Sequence, residues 1–551
     1  MLLKVATALS VLVAGVLAAP EVRLHGTRII GQDVTASKVD FFGGVPFAEP
    51  PVGRLRFRKP VLKTSLETRI FNATNFGSSC LQPALMPGVS DVSEDCLTIN
   101  IHRPTGTKPG DKLPVLFWTY GGAFLIGGSA SYNGSELVAQ SVRRGTPIVY
   151  VNFNYRLGPF GYPNGKEAHD RRSLNLGLED ILAALRWVHA NIDAFGGDKR
   201  KVTIFGESAG GMNIGVLYLN RELEQLVRGA IFESGQANGR PGFAAAESET
   251  NWQGFVRNIP SCASVATSGN TFSCLQKASQ EEIRTAYLGS FGGGDLFGGL
   301  AFTPTIDAGP GGLYPDFVSK LYKSGKFAKI PFIAGNNLDE GTLFATAARS
   351  ANYTEADLKR GVIFASSPPV VDPGRLEEGA TKLLELYPED PKVGSPYGTG
   401  DDLFGLPANF KRAASLQGDQ TFDAPRRQWI QTASAHGVKA YGYLFTQPQP
   451  LGDPAGGVPH AAEIGYIYGN ALDFSPEGRT LTTYMMDYWI SFTVNLDPND
   501  KNGSERPIWP LYTESNQVLL QLNGANTSVI RDDYRKDGIG YMNDNAIVFR
   551  R

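Results

Sequence analysis

The sequence is poor in cysteine and histidine, and neither sign of charge predominates. Four cysteines and six histidines in 551 residues exclude a disulfide-dense scaffold, and neither close cysteine pair has the histidine spacing of a zinc site. With 52 basic and 54 acidic side chains, a formal balance of −2, the chain lacks the cationic excess that a nucleic-acid partner selects. Internal repeats of about 20 to 50 residues are missing, and so is any low-complexity linker long enough to separate two cores, which leaves out solenoids and strings of small modules. After the first residues there is no apolar run of about 18, hence no second candidate for a membrane span.

A hydrophobic fraction of 42% with 19% charge describes a globular protein rather than a disordered or fibrous one. Residues 1 to 19, MLLKVATALSVLVAGVLAA, combine an early Lys4, an apolar run from Val5 to Leu17 and small residues at the end. They read as a secretory signal peptide cut after Ala18 or Ala19, being short for an anchor. Without Lys4 the chain carries 51 basic against 54 acidic groups, or −3. Residues 20 to 551 are expected to form a single domain. The glycine-rich patch from Gly289 to Gly299 carries Phe291, Leu296 and Phe297, which suits a loop lining a cavity at least as well as a linker.

In an oxidising pathway the cysteines are expected to pair. Of three possible connectivities, proximity favours Cys80 with Cys96 and Cys262 with Cys274. Five acceptor tripeptides, at Asn72, Asn133, Asn352, Asn502 and Asn526, fit a secreted glycoprotein, although such tripeptides also arise by chance.

Short apolar runs rich in Val, Ile, Phe and Tyr predict buried strands at Leu97 to His102, Pro114 to Thr119, Pro147 to Phe153, Val202 to Phe205, Gly229 to Glu233, Ile330 to Ala334 and Lys439 to Thr446. Helical spacing is clearest from Asn175 to Ala194, where Leu178, Ile181, Leu182, Leu185 and Val188 recur at steps of three and four, and again from Thr480 to Val494. Strands alternating with helices predict an α/β fold: a large, mostly parallel sheet with helices on both faces.

Gly206, Glu207, Ser208, Ala209 and Gly210 match the G-x-S-x-G turn that lifts a nucleophilic serine between a strand and a helix. Five residues alone are a weak signal; the strand before them and the helix-compatible Gly211 to Leu219 after them supply the context. In folds that use this turn the triad runs serine, acid, histidine along the chain. Of the histidines only His436 and His460 follow Ser208. His436 precedes a predicted strand, which puts it at the far end of the sheet, whereas His460 follows that strand in a loop at its carboxyl end, where ligands bind. Asp339 and Glu340 both follow the strand Ile330 to Ala334, and spacing leaves the acid open between them. Tyr120 to Phe124 follow another strand with small residues that let main-chain N–H groups approach a carbonyl oxygen.

Taken together, these stretches resemble the type-B carboxylesterase and lipase family, which includes secreted fungal lipases, sterol esterases and cholinesterases. The likeness runs through FGGVPFAEPPVGRLRF (Phe42 to Phe57), EDCLTIN (Glu94 to Asn100), NYRLGPFGY (Asn154 to Tyr162), Asn175 to Trp187, Phe195 to Asp198, the Ser208 turn, DEGT (Asp339 to Thr342) and VPHAAEI (Val458 to Ile464). The resemblance implies an α/β-hydrolase fold, Glu340 as the acid, His460 as the base and oxyanion donors at Gly122, Ala123 and Ala209. It further implies both disulfides as paired above and Ser234 as a partner behind the triad. Family lipases commonly carry a longer flap than Leu81 to Asp95, so the flap here covers less apolar surface. Ile181 stands where the family has glutamine, a change expected to affect packing rather than chemistry.

The expected function is a secreted serine carboxylic ester hydrolase acting on lipid-like or short-chain esters through an acyl-enzyme, needing no metal or organic cofactor and taking a small-molecule or lipid ester as partner. A feruloyl esterase acting on plant-derived aromatic esters is the alternative, favoured by the short flap and the aromatic glycine-rich patch. A catalytically idle adhesion module of the same fold is the third reading, and a complete triad counts against it.

Overall fold

A computed structural model describes residues 19–83, 91–289 and 300–551. Most of the signal-peptide segment, the middle of the flap and the glycine-rich patch beyond Gly289 lie outside the described residues. Among the described residues, eleven strands form one sheet. From edge to edge they are Ser528–Arg531, Val518–Leu522, Ala440–Phe445, Phe332–Asn337, Gly229–Glu233, Gly197–Glu207, Leu113–Thr119, Val149–Phe153, Thr98–Pro104, Val39–Pro46 and Gln32–Val34. The seven from Val518–Leu522 to Val149–Phe153 run parallel, and the strands outside them pair antiparallel.

Central strands such as Val149–Phe153 and Gly229–Glu233 are buried at every position. That is why they read as unbroken apolar runs rather than alternating ones: parallel strands covered on both faces have no solvent side. The helix Leu176–Asn191 is buried nearly all round, with Ile181 in the core.

Strand order also determines where a site can form. From Leu113–Thr119 the chain adds Val149–Phe153 on one side, then crosses back to place Gly197–Glu207 on the other and builds outward from there. The connections of those two neighbouring strands run in opposite directions, which makes their carboxyl ends the topological switch point, where open α/β sheets bind ligands. In register, Gly206 pairs with Thr119 and Glu207 with Glu233. Ser208 and Tyr120 thus leave the sheet side by side. Among the described residues no helix is long and apolar enough to cross a membrane.

Candidate active site

Ser208 sits between the strand Gly197–Glu207 and the helix Ala209–Tyr218 with φ 55° and ψ −125°. A non-glycine residue rarely adopts such a backbone, so the surrounding packing must hold it there. Its N–H donates to Glu233 O at 2.9 Å and its carbonyl accepts from Met212 N at 2.8 Å. Gly210 explains the small residues around the turn: a Cβ there would lie 2.0 Å from Thr119 O.

Glu340 follows the strand Phe332–Asn337, and His460 lies in the loop after Ala440–Phe445. His460 Nδ1 is 2.5 Å from Glu340 Oε2, while the other carboxylate oxygen accepts from Ser234 Oγ at 2.5 Å and from Asn337 N at 2.8 Å. Of the two acids that spacing left open, Glu340 is the one in contact with His460. Asp339 points elsewhere, accepting from Ser395 Oγ, Tyr397 N and Val458 N at 2.8, 2.9 and 2.9 Å. It pins the start of the histidine loop, since its own N–H also donates to Val458 O. His436 is exposed at the end of the helix Ala424–Ala435, before the strand.

The other edge of the imidazole faces a carboxylate that the sequence reading did not assign to the site. His460 Nε2 lies 3.0 Å from Glu207 Oε1 without the alignment of a hydrogen bond, and among the described residues none joins it to Ser208 Oγ. Catalytic contacts of this kind are often loose before substrate binds. Burial works against a charged imidazole, but Glu207 and Glu340 outweigh it and hold the His460 pKa well above its ordinary value. Two further buried acids, Glu233 and Glu463, complete the surroundings. Burial pushes Glu463 up to about 8, with Glu207 and Glu340 adding to the effect, and it raises Glu233 as well, reinforced by Glu463. Trp489 Nε1 and Asn337 Nδ2 each satisfy one of their oxygens, at 2.6 and 2.5 Å. Glu207 lies inside the G-x-S-x-G turn and Glu463 inside VPHAAEI, so both were in view without a role. Only the fold brings them together.

Gly122 and Ala123 have φ of 104° and 57°. A Cβ on Gly122 would lie 2.1 Å from Ile126 O, so both the hand of the turn and its packing require glycine. Among the described residues the N–H groups of Gly122, Ala123 and Ala209 donate to no acceptor. Ala209 is the first residue of its helix, where an unpaired N–H and the helix dipole both favour negative charge. Cys80 is bonded to Cys96 and Cys262 to Cys274. All five sequon asparagines are exposed. Among the described residues no group of three or more His, Cys, Asp or Glu side chains is arranged to hold a metal ion.

Fold and site together define an α/β-hydrolase. The chain belongs to the carboxylesterase family, whose model matches residues 18–539. It is 35% identical to Lipase 1 of Geotrichum candidum, with 98% of each chain covered, and 32% identical to the secreted triacylglycerol lipase LIP1 of Gibberella zeae over 93% of this chain and 88% of that one. Among solved structures, EstA of Aspergillus niger superposes with a TM-score of 0.83 at 27% identity, covering 97% of this chain and 99% of the other. The protein is a carboxylic ester hydrolase.

Proposed function

We propose that Ser208 attacks an ester carbonyl while His460 takes its proton and Glu340 holds the imidazole and stabilises its charged form. The observation that carries this reading is the 2.5 Å contact between His460 and Glu340, with the other imidazole nitrogen 3.0 Å from Glu207, the residue before a serine held at positive φ. Negative charge developing on the carbonyl oxygen is received by the N–H groups of Gly122, Ala123 and Ala209, each donor contributing about 3 kcal/mol. The alcohol departs with the proton from His460, leaving an acyl-enzyme. Water then enters, gives its proton to the same nitrogen and releases the acid.

The substrate is a lipid-like or short-chain ester, which the names of the fungal lipases favour. Secretion after removal of residues 1 to 19, with residues 20 to 551 as one domain, is supported by the two disulfides and the exposed sequons. A rate panel tests the reading: nitrophenyl esters from acetate to palmitate, an emulsified triglyceride and methyl ferulate, with Ser208→Ala as the control. Hydrolysis of the acyl series that vanishes in the variant supports it. Turnover surviving in Ser208→Ala removes the nucleophile, and a preference for ferulate replaces the substrate class with the aromatic one.

A further inference from the structure

The turn that presents Gly122 and Ala123 is braced at several points. At its entry Tyr155 OH donates to Tyr120 O, and in its middle Gly158 N donates to Phe124 O and Tyr287 OH to Leu125 O, each at 2.7 Å. Its exit is held by a side chain from the flap. Gln82 is 1% exposed; its Oε1 accepts from Gly127 N at 2.8 Å, and its Nε2 donates to Gly127 O at 2.6 Å and to Cys80 O at 3.0 Å. One N–H and two carbonyls fix which end of the amide is which, since the reverse placement would set NH2 against N–H and oxygen against oxygen.

The N–H that Gln82 receives belongs to the same planar peptide as Ile126 O. That oxygen lies 2.1 Å from where a Cβ of Gly122 would stand, and Gly122 O in turn accepts from Leu125 N and Ile126 N, both at 3.0 Å. The peptide between Ile126 and Gly127 is therefore the wall against which Gly122 rests. A change in its tilt moves Gly122 and the N–H groups beside it. Gln82 itself stands two residues past Cys80, whose disulfide to Cys96 anchors the stem of the flap, so the amide is mounted on a fixed support.

We propose that Gln82 is a positioning residue for the oxyanion hole: by gripping both the N–H and the carbonyl of Gly127 it holds that peptide against Gly122 and keeps the N–H groups of Gly122 and Ala123 aimed at one point. The inference rests on those two groups receiving the carbonyl oxygen of the substrate. A donor removed altogether costs about 100- to 1,000-fold in kcat, and one turned aside without being removed costs less.

The test uses the full-length secreted protein, nitrophenyl butyrate as substrate and an alkyl trifluoromethyl ketone as inhibitor. The Ser208 oxygen adds to the ketone carbonyl, and the resulting hemiketal places its oxyanion where the transition state does. Gln82→Glu keeps the shape and the acceptor for Gly127 N but sets a carboxylate oxygen against the carbonyls of Gly127 and Cys80. Gln82→Met removes both polar contacts and serves the same purpose if the first variant does not fold. With active sites counted by fluorophosphonate labelling, the expected result is a kcat lower by about 10- to 100-fold, KM within about threefold, and affinity for the ketone weakened in proportion to kcat/KM. A purely structural role would lower the melting temperature and leave kcat and ketone affinity per active site unchanged. A kcat within about twofold of the parent, a loss residing in KM, or an unchanged ketone affinity overturns the proposal. A parent enzyme that the ketone does not inhibit would instead remove the oxyanion reading on which the proposal rests, so the two failures are distinguishable.

Discussion

Replacing Glu340 by glutamine tests the charge relationship at the centre of the site with almost no change of shape. Glu340 Oε1 accepts from Ser234 Oγ and from Asn337 N. In the amide, the oxygen must stay in that position, because an NH2 group there would face two donors. The NH2 is thereby turned toward His460 Nδ1, which must become an acceptor, and the imidazole proton moves to Nε2. A histidine protonated at Nε2 cannot take the proton of Ser208. By analogy with the wrong-tautomer variant of a serine protease, kcat is expected to fall on the order of 10⁴-fold, about 5.4 kcal/mol of transition-state stabilisation. Steady-state kinetics on a soluble nitrophenyl ester, with a melting curve alongside, measure it. Asp339→Asn is the companion: its three bonds hold the loop rather than the imidazole, so it should lose about 1–3 kcal/mol of stability and retain kcat within about tenfold. A Glu340→Gln variant within tenfold of the parent, or an Asp339→Asn variant equally inactive, would refute the reasoning.

Two pH effects follow from the other acids. Because Glu207 and Glu340 hold His460 charged above its ordinary range, kcat/KM should rise with pH through a limb displaced upward from that of a free histidine. Glu207→Gln should move this limb toward lower pH, and a limb that stays in place would rule out the pairing. Glu463 is raised to about 8, so the folded protein binds a proton there that the unfolded chain releases near 4.5. Its contribution to stability is complete below the unfolded value and is lost as pH rises to about 8. Denaturant unfolding of Glu463→Gln across that window should show a flatter fall than the parent, and parallel curves would contradict it.

Much of this arrangement was legible from local pattern. Gly229 to Glu233 was predicted and found with the same bounds, because a strand buried on both faces leaves an unmistakable apolar run. The helix predicted over Asn175 to Ala194 spans Leu176–Asn191. Less visible were the edge strands: Ser528–Arg531 is short and only half-buried, so no apolar run marks it. Chain order separated His460 from His436, but could not choose Glu340 over Asp339, since neighbouring residues on a loop differ only in where they point. The resemblance made that choice, and the contact with His460 gives it a physical reason. Glu207, Glu233 and Glu463 converge from separate elements, so no local window contains their relationship.

The central claim is that Ser208 is the nucleophile. The most direct measurement is to label the intact protein with a fluorophosphonate, digest it, and locate the adduct by mass spectrometry while following ester hydrolysis. One adduct per chain on Ser208, formed in step with loss of turnover and absent in Ser208→Ala, is the predicted result. An adduct on another residue, or an active enzyme left unlabelled at Ser208, would contradict the account.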